Sequence, residues 1–268
     1  LVLAPALRVK RLVIKRLFSG LAVGAIAFLS LWYHSLSWLL FLIVALALAV
    51  VDWGRLTGST PLVLALLLLP AALFAALEFY FLLPLMPLLA AVPMLVKADV
   101  KLAGNPLAVA AGIIWLALPV AFLFRLRLEY EFVTVFGLLL ATIFQDSCAY
   151  YCGLTLRMGK NFSGPISPNK SWAGFFGGLL ATVAVSFLFS YYRLWPLDLY
   201  WGVGVGFLLG VVGPVGDLMI SGLKRQRGLD DLANYLPGHG GVLDRVDALL
   251  MNTVCFYVVI QLLEALSL

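Results

Sequence analysis

Apolar residues run through this chain in long blocks, and polar positions are confined mostly to short breaks between them. A helix needs about 20 apolar residues to cross the hydrocarbon core of a bilayer. Cutting the chain at its charges and turn residues leaves nine candidate blocks, at roughly 17–33, 36–51, 61–77, 79–96, 106–124, 132–154, 174–192, 199–220 and 247–267. The pattern predicts an all-α, polytopic integral membrane protein of about nine transmembrane helices. The second block is short, and the fourth carries Pro84, Pro87 and Pro93, which predict a kinked or broken helix. The first lacks a small-residue cleavage site and is followed at once by another apolar block, so it reads as a retained span. No polar stretch is long enough for a separate soluble domain. Residues 1–268 therefore form one membrane domain, with N-terminal spans in 1–130 and a chemically richer half in 131–268.

Composition agrees: 63% of residues are hydrophobic and 12% charged, against about 45–50% and about 25% in soluble proteins. Charge then adds an orientation. Assigned to alternate breaks, 15 of the 18 Lys and Arg residues fall on one side and only Arg125, Arg127 and Arg193 on the other. The positive-inside rule places the N-terminus in the cytoplasm and the C-terminus outside. The net charge of +5 does not indicate nucleic acid, because the basic residues stand at span ends, where orientation and lipid headgroups account for them. The same alternation puts the two longest polar loops, about 155–173 and 221–246, on the cytoplasmic face. Cys148, Cys152 and Cys255 lie in apolar stretches and read as small buried hydrophobes rather than a metal or redox pair. No internal repeat supports a transporter built from two similar halves.

Two aspartates, Asp146 and Asp217, stand inside spans. Such a group costs about 2.5–3.5 kcal/mol at a helix centre and usually marks function. Both lie towards the cytoplasmic end, which suggests one polar cavity; the alternative is a carboxylate merely paired with Lys or Arg. Asp217, Ser221 and Lys224 recur at helical spacing and share a face. The segment Ser221–Asp247 then supplies Arg225, Arg227, PGHGG at 237–241, Asp244, Arg245 and Asp247. The glycines Gly240 and Gly241 let backbone amides approach an anion. Asp217, Asp244 and Asp247 are hard oxygen ligands of the kind magnesium takes beside phosphates, and Lys224, Arg225 and Arg245 suit the phosphates themselves. The alternative makes Asp244 and Asp247 capping acids of the last helix. In the earlier loop, Ser167, Asn169, Lys170 and Ser171 precede an apolar helix whose N-terminus suits a phosphate; a simple cap with an interfacial lysine is the alternative.

These residues resemble the phosphatidate cytidylyltransferase family, the CDP-diacylglycerol synthases. Ser221, Lys224, Arg225, Asp231, Ala233, Leu236, Pro237, His239, Gly240, Gly241, Asp244, Arg245 and Asp247 fall on the family signature without a gap. Upstream, Gly216–Asp217 resembles its GD pair, Ser167, Pro168, Lys170, Ser171 and Gly174 its SPxK loop, and Asp146, Ala149 and Tyr150 its DxxAY element. The likeness spans about 142–250, and the N-terminal spans match only in character. Three positions depart from the pattern: Asp230 replaces a lysine, and Ala173 and Ile220 replace glutamates.

The resemblance implies transfer of a cytidylyl group from CTP to phosphatidate, giving CDP-diacylglycerol and pyrophosphate, at the cytoplasmic face of the inner membrane. Magnesium is the implied cofactor, with room for a second cation. Asp217, Asp244 and Asp247 would hold metal, and Lys170, Lys224, Arg225 and Arg245 the phosphates. Ser167, Asn169, Ser221, Gly240 and Gly241 would line the substrate site, with His239 orienting a phosphate and Asp146 serving cavity polarity or cation binding. A homodimer through the apolar N-terminal spans is compatible with the chain. Competing readings are a CTP-dependent lipid alcohol kinase and a non-catalytic protein that binds or transports anionic lipid.

Overall fold

A computed structural model describes residues 20–78, 106–156, 163–164, 166–168, 170–229, 231–233 and 240–266, and among these the regular structure is helical. The helices are α1 (Gly20–Tyr33), α2 (Ser35–Thr57), α3 (Pro61–Ala76), α4 (Leu107–Glu129), α5 (Phe132–Leu156), α6 (Trp172–Tyr191), α7 (Leu199–Gln226) and α8 (Leu243–Leu266). Six of them, α2 and α4–α8, are long and apolar enough to cross a membrane. The expected span at 79–96, with its three prolines, lies outside the described residues.

Local sequence explains where the helices begin and end. At α2, the His34 side chain accepts from Leu36 N while Ser37 Oγ accepts from His34 N, closing a reciprocal cap. The helix was expected to stop at 51, before the charge of Asp52. It continues to Thr57 and ends at Gly58, whose φ of 74° suits glycine and whose N–H reaches Gly54 O. Asp52 does not break it because its carboxylate is satisfied elsewhere in the fold. Likewise α7 continues six residues past the expected end at 220, and α8 starts four residues before 247. Within α4, Ile113–Ala117 widens into a π turn just ahead of Pro119, where a residue without an N–H interrupts the regular ladder.

Small residues let the C-terminal helices approach closely. A side chain at Gly206 would collide with Ser186, one at Gly178 with the Gln145 carbonyl, and one at Gly177 with Cys152. Glycine therefore sets the α5–α6 and α6–α7 spacing, as is common where helices meet in lipid. It also accounts for Cys152 as a packing residue; all three cysteines are free thiols.

Two apolar layers fill the bundle. One joins Leu46–Leu56 of α2, Leu64 and Leu68 of α3 and Val109–Ala117 of α4 to Ile220, Leu232, Leu243 and Leu250. The other joins Leu31, Trp38, Leu42, Phe122 and Leu126 to Leu138, Val205, Leu209, Phe256 and Ile260. The helix ends gather into two polar surfaces. At one, Arg125 pairs with Glu78 and Glu129, Tyr257 Oη also donates to Glu129, and Tyr130 Oη donates to Glu264 Oε1 at 2.5 Å. The residues singled out by the sequence, as far as they are described, lie at the other.

Candidate active site

The site end is built around a break in α7. Pro214 has no N–H to offer the Gly210 carbonyl one turn earlier. Gln145 of α5 replaces it, donating Nε2 to Gly210 O at 3.0 Å and to Leu209 O at 3.2 Å. The Gln145 Oε1 atom in turn accepts from Asn252 Nδ2 at 3.1 Å, and the same amide reaches Thr142 Oγ1 at 3.1 Å. Gln145, Asn252 and Thr142 are all buried. This polar core ties α5 and α8 to α7 about two turns before Asp217. None of its residues was a candidate from the sequence; a glutamine beside Asp146 and an asparagine within an apolar span were the available signals.

At Gly216 the backbones of α7 and α8 nearly touch, since an added Cβ would lie 2.6 Å from Asp247 O. That crossing brings Asp217 beside Asp247, which is only 8% exposed and accepts from Ala248 N at 2.8 Å. Asp146, ten residues before the end of α5, lies within electrostatic reach of Asp217 and Asp247. The three carboxylates share one region, as the expected cavity requires.

Cations from the loop before α6 and from the first turn of α8 face them. Lys170 Nζ is 2.8 Å from Asp217 Oδ2 and donates to Pro214 O at 3.3 Å. Arg245 is within electrostatic reach of Asp146. Ser221 Oγ donates to Asp217 Oδ1 at 3.2 Å, so the predicted shared face exists. Lys224, the third member of that face, turns to Asp244 Oδ1 at 2.7 Å instead.

Asp244 is engaged on every side. Its Oδ2 accepts from Leu232 N at 3.1 Å and Gly241 N at 3.2 Å while Oδ1 holds Lys224. The Gly241 amide, expected to meet an anion, is thus committed to Asp244. Gly240 has a φ of 79°, the left-handed geometry that glycine serves here. Ser171 caps α6, its Oγ accepting from Gly174 N at 3.1 Å. Ser167 contributes its backbone oxygen to Ser163 Oγ and Lys170 N, which shapes the loop that delivers Lys170. Arg225 is exposed at the end of α7. Asn169, Asp230 and His239 lie outside the described residues.

A divalent cation fits this donor set in kind, since every carboxylate is a hard oxygen ligand. Among the described residues no three His, Cys, Asp or Glu side chains converge closely enough to enclose an ion. Lys170 and Arg245 bring positive charge to the same carboxylates.

The cytidylyltransferase family profile matches residues 14–263. A phosphatidate cytidylyltransferase of Brucella suis biovar 1 (strain 1330) is 40% identical over 129 residues, covering 48% of this chain and 47% of that protein. One from Staphylococcus aureus (strain COL) is 41% identical over 104 residues, 38% of this chain and 39% of its own. Phosphatidate cytidylyltransferase 4, chloroplastic, from Arabidopsis thaliana is 38% identical over 112 residues, 42% of this chain and 28% of its own. The alignments thus span about half or less of these relatives, whereas the family profile runs nearly end to end, and the chain belongs to the cytidylyltransferase family.

Proposed function

We propose that this chain transfers the cytidylyl group of CTP to phosphatidate, releasing pyrophosphate and leaving CDP-diacylglycerol in the membrane. The observation that carries the reading is the Lys170–Asp217 contact, because it joins the signature-bearing loop before α6 to the signature-bearing end of α7 beside the buried Asp247. A reaction between two polyanions needs dense, pre-placed positive charge at the membrane surface, with acids that keep it oriented. Lys170, Lys224, Arg225 and Arg245 supply that charge. Lys170 and Lys224 are held by Asp217 and Asp244 at 2.8 and 2.7 Å, and a bound phosphate would compete for them. A lipid phosphate oxygen attacks the α-phosphorus of CTP, the bond to the β-phosphate breaks, and pyrophosphate departs. Since the attacking phosphate is already ionised near neutral pH, the site needs no general base.

Magnesium, when bound, would neutralise phosphate charge. Asp217 and Asp247 would hold it, with Asp146 the nearest further carboxylate and the place for a second cation. Asp244 we assign to the turn and to Lys224 rather than to the metal, because its oxygens already serve three donors. For the whole protein we propose nine spans, a cytoplasmic N-terminus, an external C-terminus and a site facing the cytoplasm of the inner membrane. A homodimer would use the exposed apolar faces of α1 and α2, where Ile26, Leu29, Leu40 and Val44 point outward.

The test is pyrophosphate release by the purified chain given phosphatidate, CTP and magnesium. Absence of release across lipid, detergent and magnesium concentrations overturns the reading. With labelled CTP, retention of CMP on the lipid supports it, and transfer of phosphate alone identifies a lipid kinase.

A further inference from the structure

We propose that Asp52 is a positioning residue: from α2, outside the signature-bearing half, its carboxylate holds the start of α8 and the Gly240–Gly241 turn, and so sets where Asp244, Arg245 and Asp247 stand. This deepens the proposed function and rests on it.

Asp52 is fully buried. An isolated carboxylate is costly in such a place unless it is paired or hydrogen-bonded. Its Oδ2 accepts from Leu243 N at 3.0 Å. That amide is in the first turn of α8 and has no acceptor within its own helix, and the helix dipole favours an anion there. A tertiary carboxylate from 191 residues away thus does the work of a local cap. The fit against the turn is equally close. A Cβ on Gly241 would lie 2.5 Å from Asp52 Oδ2 and 2.9 Å from its Cγ, so glycine at 241 is what lets the carboxylate reach α8. The same end of α2 grips the segment twice more: the Arg55 guanidinium donates to Leu232 O, and Arg227 donates to Leu56 O and Thr57 O at 2.8 Å each. Contacts at 227, 232 and 241–243 run along the segment that ends at Asp247. Asp52 acts through the backbone that carries Asp244, Arg245 and Asp247.

The experiment compares the full chain in detergent as wild type, Asp52→Ala, Asp52→Asn and Asp52→Glu. It measures kcat and KM for CTP per folded molecule, and hydrogen exchange at residues 241–247 without substrates. Displacement of reacting groups by an ångström costs about a hundredfold. Asp52→Ala is therefore expected to lose kcat by about that factor while KM for CTP holds, with faster exchange at Gly241–Leu243. Asp52→Asn, which keeps an acceptor oxygen, should recover most of the kcat and the slow exchange. Should Asp52→Ala fail to fold, Asp52→Glu carries the test: it keeps the charge but presses on Gly241, and loss of kcat is expected. Wild-type kcat in Asp52→Ala or Asp52→Glu, or unchanged exchange at 241–243 in Asp52→Ala, overturns the proposal. If the wild type itself shows no CTP-dependent turnover, the functional reading falls, and the exchange measurement alone decides whether Asp52 holds the turn.

Discussion

Replacing Gly216 by alanine should separate the geometry of the site from the stability of the fold. The new Cβ would stand 2.6 Å from Asp247 O, where ordinary contact begins at 3.4 Å, so the helices must part by about 0.8 Å. The obstacle is a backbone carbonyl, which no rotamer change can move aside. Overpacking of this kind costs about 1–3 kcal/mol, and alanine returns about 1 kcal/mol through helix propensity. The net loss of stability is therefore modest, about 0–2 kcal/mol. Activity should fall further, because Asp217 and Asp247 flank this crossing and a shift near 1 Å costs about a hundredfold in rate, or about 2.7 kcal/mol of barrier. Gly204 on the same helix is the control: nothing lies within 4 Å of its added Cβ, so Gly204→Ala should unfold no earlier than wild type and keep full activity. The assay pairs thermal unfolding in detergent with pyrophosphate release at saturating CTP and magnesium. Wild-type turnover in Gly216→Ala would refute the claim that this crossing sets the distance between the carboxylates.

Lys170→Met removes the cation 2.8 Å from Asp217; because both side chains are partly exposed it should cost only about 1 kcal/mol of stability, yet kcat/KM for CTP should drop at least about a hundredfold, and a smaller drop would remove Lys170 from the site. Asp244→Ala frees Lys224 and the Leu232 and Gly241 amides together and should abolish turnover, whereas Asp244→Asn, which can still accept from both amides, should retain the fold by thermal unfolding. Gln145→Leu leaves the Gly210 carbonyl without the donor that replaces Pro214 and should cost about 1–3 kcal/mol; Pro214→Ala in the same background should restore part of that loss, and strict additivity in the double-mutant cycle would contradict the account. Chelation of magnesium should stop pyrophosphate release and its return should restore it, while activity persisting in chelator would rule out the proposed cation.

The helices were legible because membrane spans are chiefly a matter of length and apolarity, which leave their record in consecutive residues. Asp217, Ser221 and Lys224 could be placed on one face from their spacing alone, and Ser221 does meet Asp217. The partner of Lys224 could not be read, because Asp244 is 20 residues further along the chain and meets it across a loop. The same limit applied to α2. Asp52 looked like the charge that ends a span, and its hydrogen bond from Leu243, which forms only in the folded chain, helps to account for a buried acid inside the helix. Asp244 accepts from the Leu232 and Gly241 amides, one of them 12 residues away, and that contact could not be read from its spacing either.

What the sequence by itself determined is therefore the membrane class, most of the span positions and the polar end at which the signature residues gather, since each depends on local composition and on periods of a few residues. The tertiary structure decided which of those residues meet. Gly216 brings two backbones together, Gln145 compensates for Pro214, and Asp52 caps a helix from the opposite half of the chain. Each of these joins residues distant in sequence, and their energy comes from burial and hydrogen bonding that exist only once the helices have packed.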